Sequence, residues 1–169
     1  MLAGKVAGKT AALLNRFALY NKRVTSMSIN QMTGVEFWQS MITGEIPHPP
    51  MTETIPMSIV SAKKGMTLFE VKADDRHLNP VGGVHGGFAA TVMDSVTASA
   101  VHTMLEAGVG YATVDLNVKM LRSVPKNVKL LAKGEIINIS KSIGVSEGTL
   151  KDEKGKLYAH STATYMILR

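Results

Sequence analysis

Between residues 111 and 121 apolar and polar positions alternate without a break. Ala112, Val114, Leu116, Val118 and Met120 hold one parity, and Thr113, Asp115, Asn117 and Lys119 hold the other. A period of two predicts a strand with one buried face. Residues 128–137, 143–150 and 157–168 read as further strands, the last two joined by the polar turn Lys151-Asp152-Glu153-Lys154-Gly155-Lys156. Upstream, residues 57–62 and 66–73 are rich in Val, Ile and Phe around Lys63-Lys64-Gly65, the pattern of a hairpin. Between these groups, residues 86–107 contain no proline, are mostly small or apolar, and stop at Gly108-Val109-Gly110. At about 1.5 Å per residue they predict a helical rod of roughly 33 Å.

From Gly86 through Leu105 the only formally charged residue is Asp94. A helix apolar nearly all round is expected to be buried nearly all round, so the sheet has to wrap it. Hairpin links in place of β-α-β alternation make that sheet antiparallel. The predicted class is α+β: an antiparallel sheet wrapped around one long central helix.

The chain ahead of this body has another character. Ala3, Val6, Ala7, Leu13, Leu14, Phe17 and Ala18 follow helical spacing, with Lys5, Lys9 and Arg16 elsewhere on the wheel. This basic amphipathic stretch lacks the continuous apolar run of a secretory signal, and nothing approaches a membrane span. A mitochondrial transit peptide fits its composition; a helical arm packing on its own protein or on a partner is preferred. A second helix is expected over residues 35–43, closed by Gly44. Pro47, Pro49, Pro50 and Pro56 then enforce extended backbone. They divide the chain into an N-terminal helical arm, residues 1–45, and a body, residues 46–169.

Composition narrows the function. With 45% hydrophobic and 19% charged residues the 169-residue chain can bury one core. It has no cysteine, which removes thiolate metal sites and thiol nucleophiles and fits a reducing, cytoplasmic setting. The net charge of +6 invites a nucleic-acid partner, but residues 1–35 carry +5 of it. The nearly neutral remainder, with 5% aromatics, lacks a phosphate-neutralising face and a base-stacking platform, so nucleic acid is excluded as a partner. Weak contact of the basic arm with a membrane surface remains open. The five histidines show no H-x-x-x-H pair, and no metal site is expected. Gly144-Val145-Ser146-Glu147-Gly148 matches a nucleophile-elbow pattern, but strand-like sequence on both sides denies it the strand-to-helix turn that motif needs.

The candidate chemistry lies in His77-Leu78-Asn79-Pro80-Val81-Gly82-Gly83-Val84-His85-Gly86-Gly87 and in Asp94. Glycine-rich backbone entering a helix exposes first-turn N–H groups without intrahelical acceptors, a place for a partly negative oxygen. That oxygen could belong to a phosphate or to a carbonyl under attack, where such donors form an oxyanion hole. Asp94 follows Gly86 by eight residues, hence about 12 Å along the axis, too far for one chain to present both to one carbonyl. Either Asp94 is unrelated to the Gly86 donors or the site is shared between subunits. Taken singly, Asp94 also reads as a paired structural carboxylate, Asn79 as an Asx turn, His85 as a loop-fixing ring and Thr113 as an ordinary strand threonine.

Asn79-Pro80, His85-Gly86-Gly87, Asp94, the strand Thr113-Val114-Asp115-Leu116-Asn117 and the turn Arg122-Ser123-Val124-Pro125-Lys126 together resemble the hotdog-fold acyl-CoA thioesterases of the phenylacetate-pathway type. The resemblance spans residues 46–168. It implies a hotdog fold, dimers with sheets joined side by side, and usually homotetramers. It implies that the Gly86 N–H polarises a thioester carbonyl, with Asn79 and His85 shaping that side. Asp94 of the partner chain is implied as general base or nucleophile, and the Thr113 hydroxyl, often a serine in relatives, as a holder of water. Gly87, Leu121, Arg122, Ser123, Lys126, Ser140, Lys141 and Ser142 match positions where relatives hold substrate or coenzyme A. The expected reaction is hydrolysis of an aryl- or fatty acyl-CoA to free acid and coenzyme A. No cofactor is needed, because coenzyme A is part of the substrate. A hotdog hydratase or dehydratase and a non-catalytic acyl-CoA-binding protein are the alternatives.

Overall fold

The computed structural model describes residues 29–169. The basic stretch at residues 3–18 lies outside them. Among the described residues three α-helices, α1 (Gly34–Ile42), α2 (Met51–Thr54) and α3 (Gly86–His102), accompany six strands: β1 (Met57–Lys63), β2 (Met66–Lys72), β3 (Gly110–Met120), β4 (Lys129–Ile139), β5 (Ile143–Lys151) and β6 (Leu157–Leu168). The strands form one antiparallel sheet in the order β1-β2-β4-β5-β6-β3. Strand β3 is therefore an edge.

The sheet curves over α3. Val92, Met93, Val96, Ala100 and Val101 are fully buried against Phe69, Leu130, Leu150 and Tyr165. Close approach depends on small residues beneath the helix: a Cβ on Gly134 would fall on the Val96 carbonyl, and one on Gly144 would lie 2.7 Å from Val101 Cγ1. The burial is nonetheless one-sided. Ala90, Thr91, Asp94, Ser95 and Ala98, at helical spacing, form a half-exposed stripe, so the expectation that the sheet covers α3 nearly all round is corrected. A six-stranded sheet with an open edge beyond β6 encloses one side only.

The helix also stops at His102 rather than at residue 107. Thr103 caps it, and its hydroxyl receives the Gly65 N–H at 2.8 Å and donates to the Ala100 carbonyl at 2.7 Å. The turn of the β1–β2 hairpin thus meets the end of α3. Beyond it the Leu105 carbonyl accepts the Gly34 N–H at 3.0 Å. Helix α1, started by a Thr33–Glu36 capping box, packs onto the body through this bond and through Trp38 and Phe37, whose rings meet Phe69 and His102. Met41 and Ile46 join the core.

Strand β3 departs from simple alternation. Its pairing with β6 runs Thr113↔Tyr165, then Asp115↔Thr164, with a bulge at Val114. Opposite residues share a face. Thr113 is therefore on the helix side with Leu116, Val118 and Met120, which face Ala163, Ser161 and Ala159, while Ala112 turns outward beside Met166. Nor is the apolar parity a buried face in this chain: Val114 is 57% exposed and Met120 54%. Both reflect the edge position of β3.

Candidate active site

Two centres stand at different heights along α3. The first is the helix start. His85 is the N-cap, and its Nδ1 accepts the Gly87 N–H at 2.8 Å, so the proton of the neutral ring is on Nε2. The Phe88 N–H goes to the His85 carbonyl at 3.0 Å. That leaves Gly86, the first helical residue, as the first-turn amide with no acceptor among the described residues, and the positive end of the helix dipole lies behind it. The Met120 thioether rests over this glycine: a Cβ there would lie 2.6 Å from Met120 Sδ.

Asn79 builds the loop ahead of it. Its Oδ1 accepts the N–H groups of Val81 and Gly83, both at 3.1 Å, and its backbone exchanges bonds with Gly82 and Gly83. The Asx turn holds the glycine-rich segment in place, and the His85 N–H is tied to the His77 carbonyl at 2.8 Å. A cleft of about 460 Å³ opens at this helix start, walled by Val84, Gly86, Met120, Arg122, Ser123 and Tyr158, with His85 and Leu121 also on its lining. The Arg122 guanidinium is steadied by the Leu157 carbonyl at 2.7 Å.

The second centre is Asp94. Because the bulge at Val114 turns Thr113 toward the helix, Thr113 Oγ1 donates to Asp94 Oδ1 of the same chain at 3.3 Å. Tyr111 and Tyr165 stand beside it, and both phenols are raised, first by burial and also by the Asp94 charge; that of Tyr111 is pushed up to about 12. They remain neutral donors at any ordinary pH.

The residues expected to act together thus fall into three groups. Asp94 joins Thr113; Gly86, Gly87 and His85 join Leu121, Arg122 and Ser123, with Asn79 bracing the loop. Ser140, Lys141 and Ser142 form the tight β4–β5 turn, where Ser140 Oγ receives the Ile143 N–H at 3.1 Å. That turn is at the far end of the sheet, since β4 spans eleven residues, roughly 36 Å, from the Lys126 end. Lys126 itself is paired with Asp75 at 2.7 Å. Sequence reasoning missed three features: Met120 over Gly86, the bulge that aims Thr113, and the Tyr165 hydroxyl. Ser146, of the rejected elbow pattern, is buried in β5 and donates to the Thr97 carbonyl at 2.9 Å.

Comparison with known proteins identifies the family. The model of the thioesterase superfamily matches residues 81–159. The phenylacetic acid degradation-related protein of Ralstonia eutropha JMP134 superposes with a TM-score of 0.69 at 32% identity, over 76% of this chain and 98% of that one. Human acyl-coenzyme A thioesterase 13 is 26% identical over 109 residues, 64% of this chain and 77% of that protein. A Streptococcus mutans UA159 protein solved with acetyl CoA bound shares the fold, with a TM-score of 0.61 at 22% identity over 66% of this chain and 87% of that one. Fold and relatives define a hotdog-fold thioester hydrolase. The chain belongs to the thioesterase superfamily. No helix among the described residues is long and apolar enough to cross a membrane.

Proposed function

We propose that the protein hydrolyses acyl-CoA thioesters at a site assembled from two copies of the chain. The observation that carries this reading is the separation of the two centres on one continuous helix, Gly86–His102. The unpaired Gly86 N–H and the Asp94 carboxylate are about 12 Å apart along α3, whereas attack requires them on one carbonyl.

A twofold axis resolves the separation. Pairing the open edge of β3 with a second β3, antiparallel, about a point near Leu116 and Asn117 brings Thr113 opposite the partner's Met120. Asp94 stands behind Thr113 and Gly86 beneath Met120. One pairing therefore carries each carboxylate to the other chain's helix start, and lays the half-exposed stripe of one α3 along its twin. The same operation brings Arg122 toward the partner's Ser140, Lys141 and Ser142. The two groups then lie within the reach of one extended coenzyme A molecule, with cations for its phosphates. Acetyl CoA bound to the Streptococcus mutans relative supports coenzyme A as the carrier.

In this site the Gly86 N–H holds the carbonyl oxygen and is strengthened by the helix dipole as negative charge develops. Asp94 of the partner takes a proton from water as it adds to the carbonyl carbon, or attacks the carbonyl itself to give, once the thiolate has left, a mixed anhydride that water cleaves to the free acid and the restored carboxylate. Thr113 fixes the carboxylate from one side. Collapse of the tetrahedral centre expels the coenzyme A thiolate, a good leaving group that needs no metal. The test is thiol release from a panel of aryl, short, medium and long acyl-CoAs by wild-type protein and by Asp94→Asn. Loss of turnover with retained assembly supports the reading; full activity of Asp94→Asn removes it.

A further inference from the structure

The turn of α3 that carries Asp94 is gripped by hydroxyls from three strands. Tyr165 of β6 places its Oη 3.2 Å from the Asp94 carbonyl, Thr67 of β2 donates to the Val96 carbonyl at 3.2 Å, and Ser146 of β5 donates to the Thr97 carbonyl at 2.9 Å. Within the helix, Thr97 Oγ1 lies 2.7 Å from the Met93 carbonyl and 2.7 Å from Tyr165 Oη. Each hydroxyl has one proton. The pair has two settings: Tyr165 donates to Thr97 while Thr97 donates to the Met93 carbonyl, or Thr97 donates to Tyr165 while Tyr165 donates to the Asp94 carbonyl, and either one ties this turn to β6.

Thr67, Thr97, Ser146 and Tyr165 are all completely buried. Carbonyls in the middle of a helix already receive the N–H four residues on, so these bonds are not needed to satisfy the backbone. Phe, Val or Ala would fill the same space without any polar group to bury. Hydroxyls nevertheless converge on one turn, and that turn presents the carboxylate.

We infer that Tyr165, Thr97 and Ser146 are positioning residues for Asp94, clamping residues 93–97 of α3 to the sheet so that the carboxylate meets Thr113 and the partner's Gly86 at fixed height. The inference rests on the reading of Asp94 as the reacting group. A displacement of about 1 Å at a reacting group can lower a rate by up to about a hundredfold. Tyr165→Phe and Ser146→Ala keep the packing and remove one hydroxyl each.

Steady-state hydrolysis, well below the melting temperature of every variant, tests the clamp. Tyr165→Phe is expected to keep KM, lower kcat roughly five- to tenfold, and shift the acidic limb of the kcat–pH profile. Ser146→Ala, the milder change, is expected to lower kcat less, and the double variant more than either. Thr97→Val should behave like Tyr165→Phe, whereas Thr97→Ser should restore most of the rate. Wild-type kcat and pH profile in both Tyr165→Phe and Ser146→Ala would overturn the positioning role, whatever they do to stability. Should Tyr165→Phe fail to fold, Ser146→Ala and Thr97→Val decide the matter: wild-type kcat and pH profile in both would overturn the clamp. Asp94→Asn runs in the same series. If it is inactive while the hydroxyl variants are normal, only the clamp falls; if it is active, the site reading falls and the clamp with it.

Discussion

Thr113 Oγ1 stands 3.3 Å from Asp94 Oδ1 of its own chain, and it does so because the bulge at Val114 turns Thr113 inward. A hydrogen bond to a charged acceptor contributes about 1.5–3 kcal/mol. Thr113→Val keeps the shape and removes the donor. The expected outcome is a fall in kcat of about tenfold or more, with Thr113→Ser near wild type, measured by thiol release at saturating substrate.

Arg122 lines the cleft at the helix start with its charge on the surface. If it meets the phosphates of coenzyme A, Arg122→Ala should raise KM for acyl-CoA by about tenfold with little change in kcat, and weaken the dependence of KM on salt. A short acyl thioester of N-acetylcysteamine, which carries no phosphate, should be hydrolysed equally by both proteins. Equal losses on the two substrates would place Arg122 outside phosphate binding.

His102 supplies a pH dependence of stability. Burial lowers its imidazole from 6.5 to about 4, among the rings of Phe37, Trp38 and Tyr111. Between those values the unfolded chain takes up a proton that the folded chain refuses. This contribution is fully present above pH 6.5, declines as pH falls, and levels off near pH 4. It amounts to about 3 kcal/mol at most. Urea unfolding from pH 7 to pH 4 should show a smaller loss for His102→Phe than for wild type. Parallel curves would contradict the assignment.

Gly134 tests the packing of α3. A Cβ there meets the Val96 carbonyl, which is backbone and cannot swing aside. Gly134→Ala should destabilise the fold by about 3 kcal/mol or more in urea unfolding. A Cβ on Gly86 meets only the flexible Met120 side chain, so Gly86→Ala should be far milder.

The order of elements was legible because each carries its own period: alternation in β3, β5 and β6, and a proline-free apolar run in α3. Asp94 stood out as the single formal charge in that run, and Gly86 as part of a glycine cluster opening a helix. What stayed hidden depends on tertiary partners. The alternation through Val114 continues unbroken in sequence although a bulge reverses it in space, so Thr113 read as outward-facing. Thr103 ends α3 by bonding to a hairpin thirty-eight residues upstream, a contact with no local signal. Neither Tyr165 nor Ser146 carries a local signal of its role, because the helix carbonyls and the Thr97 hydroxyl they meet lie far away in sequence. Met120 read as core, yet it lies on an open edge above Gly86.

The shared site is tested most directly by complementation. Gly86 is the first residue of α3, where proline is tolerated and removes the N–H, and His85 before it already has φ −63° and ψ 137°, suited to a following proline. Asp94→Asn and Gly86→Pro chains, each inactive alone, are co-expressed with different tags and the mixed dimers purified. Each mixed dimer then holds one intact pairing of Gly86 with the other chain's Asp94. Half the wild-type rate per dimer is predicted, or about a quarter in an unsorted equal mixture. Mixed dimers as inactive as either parent would contradict a site built from two chains.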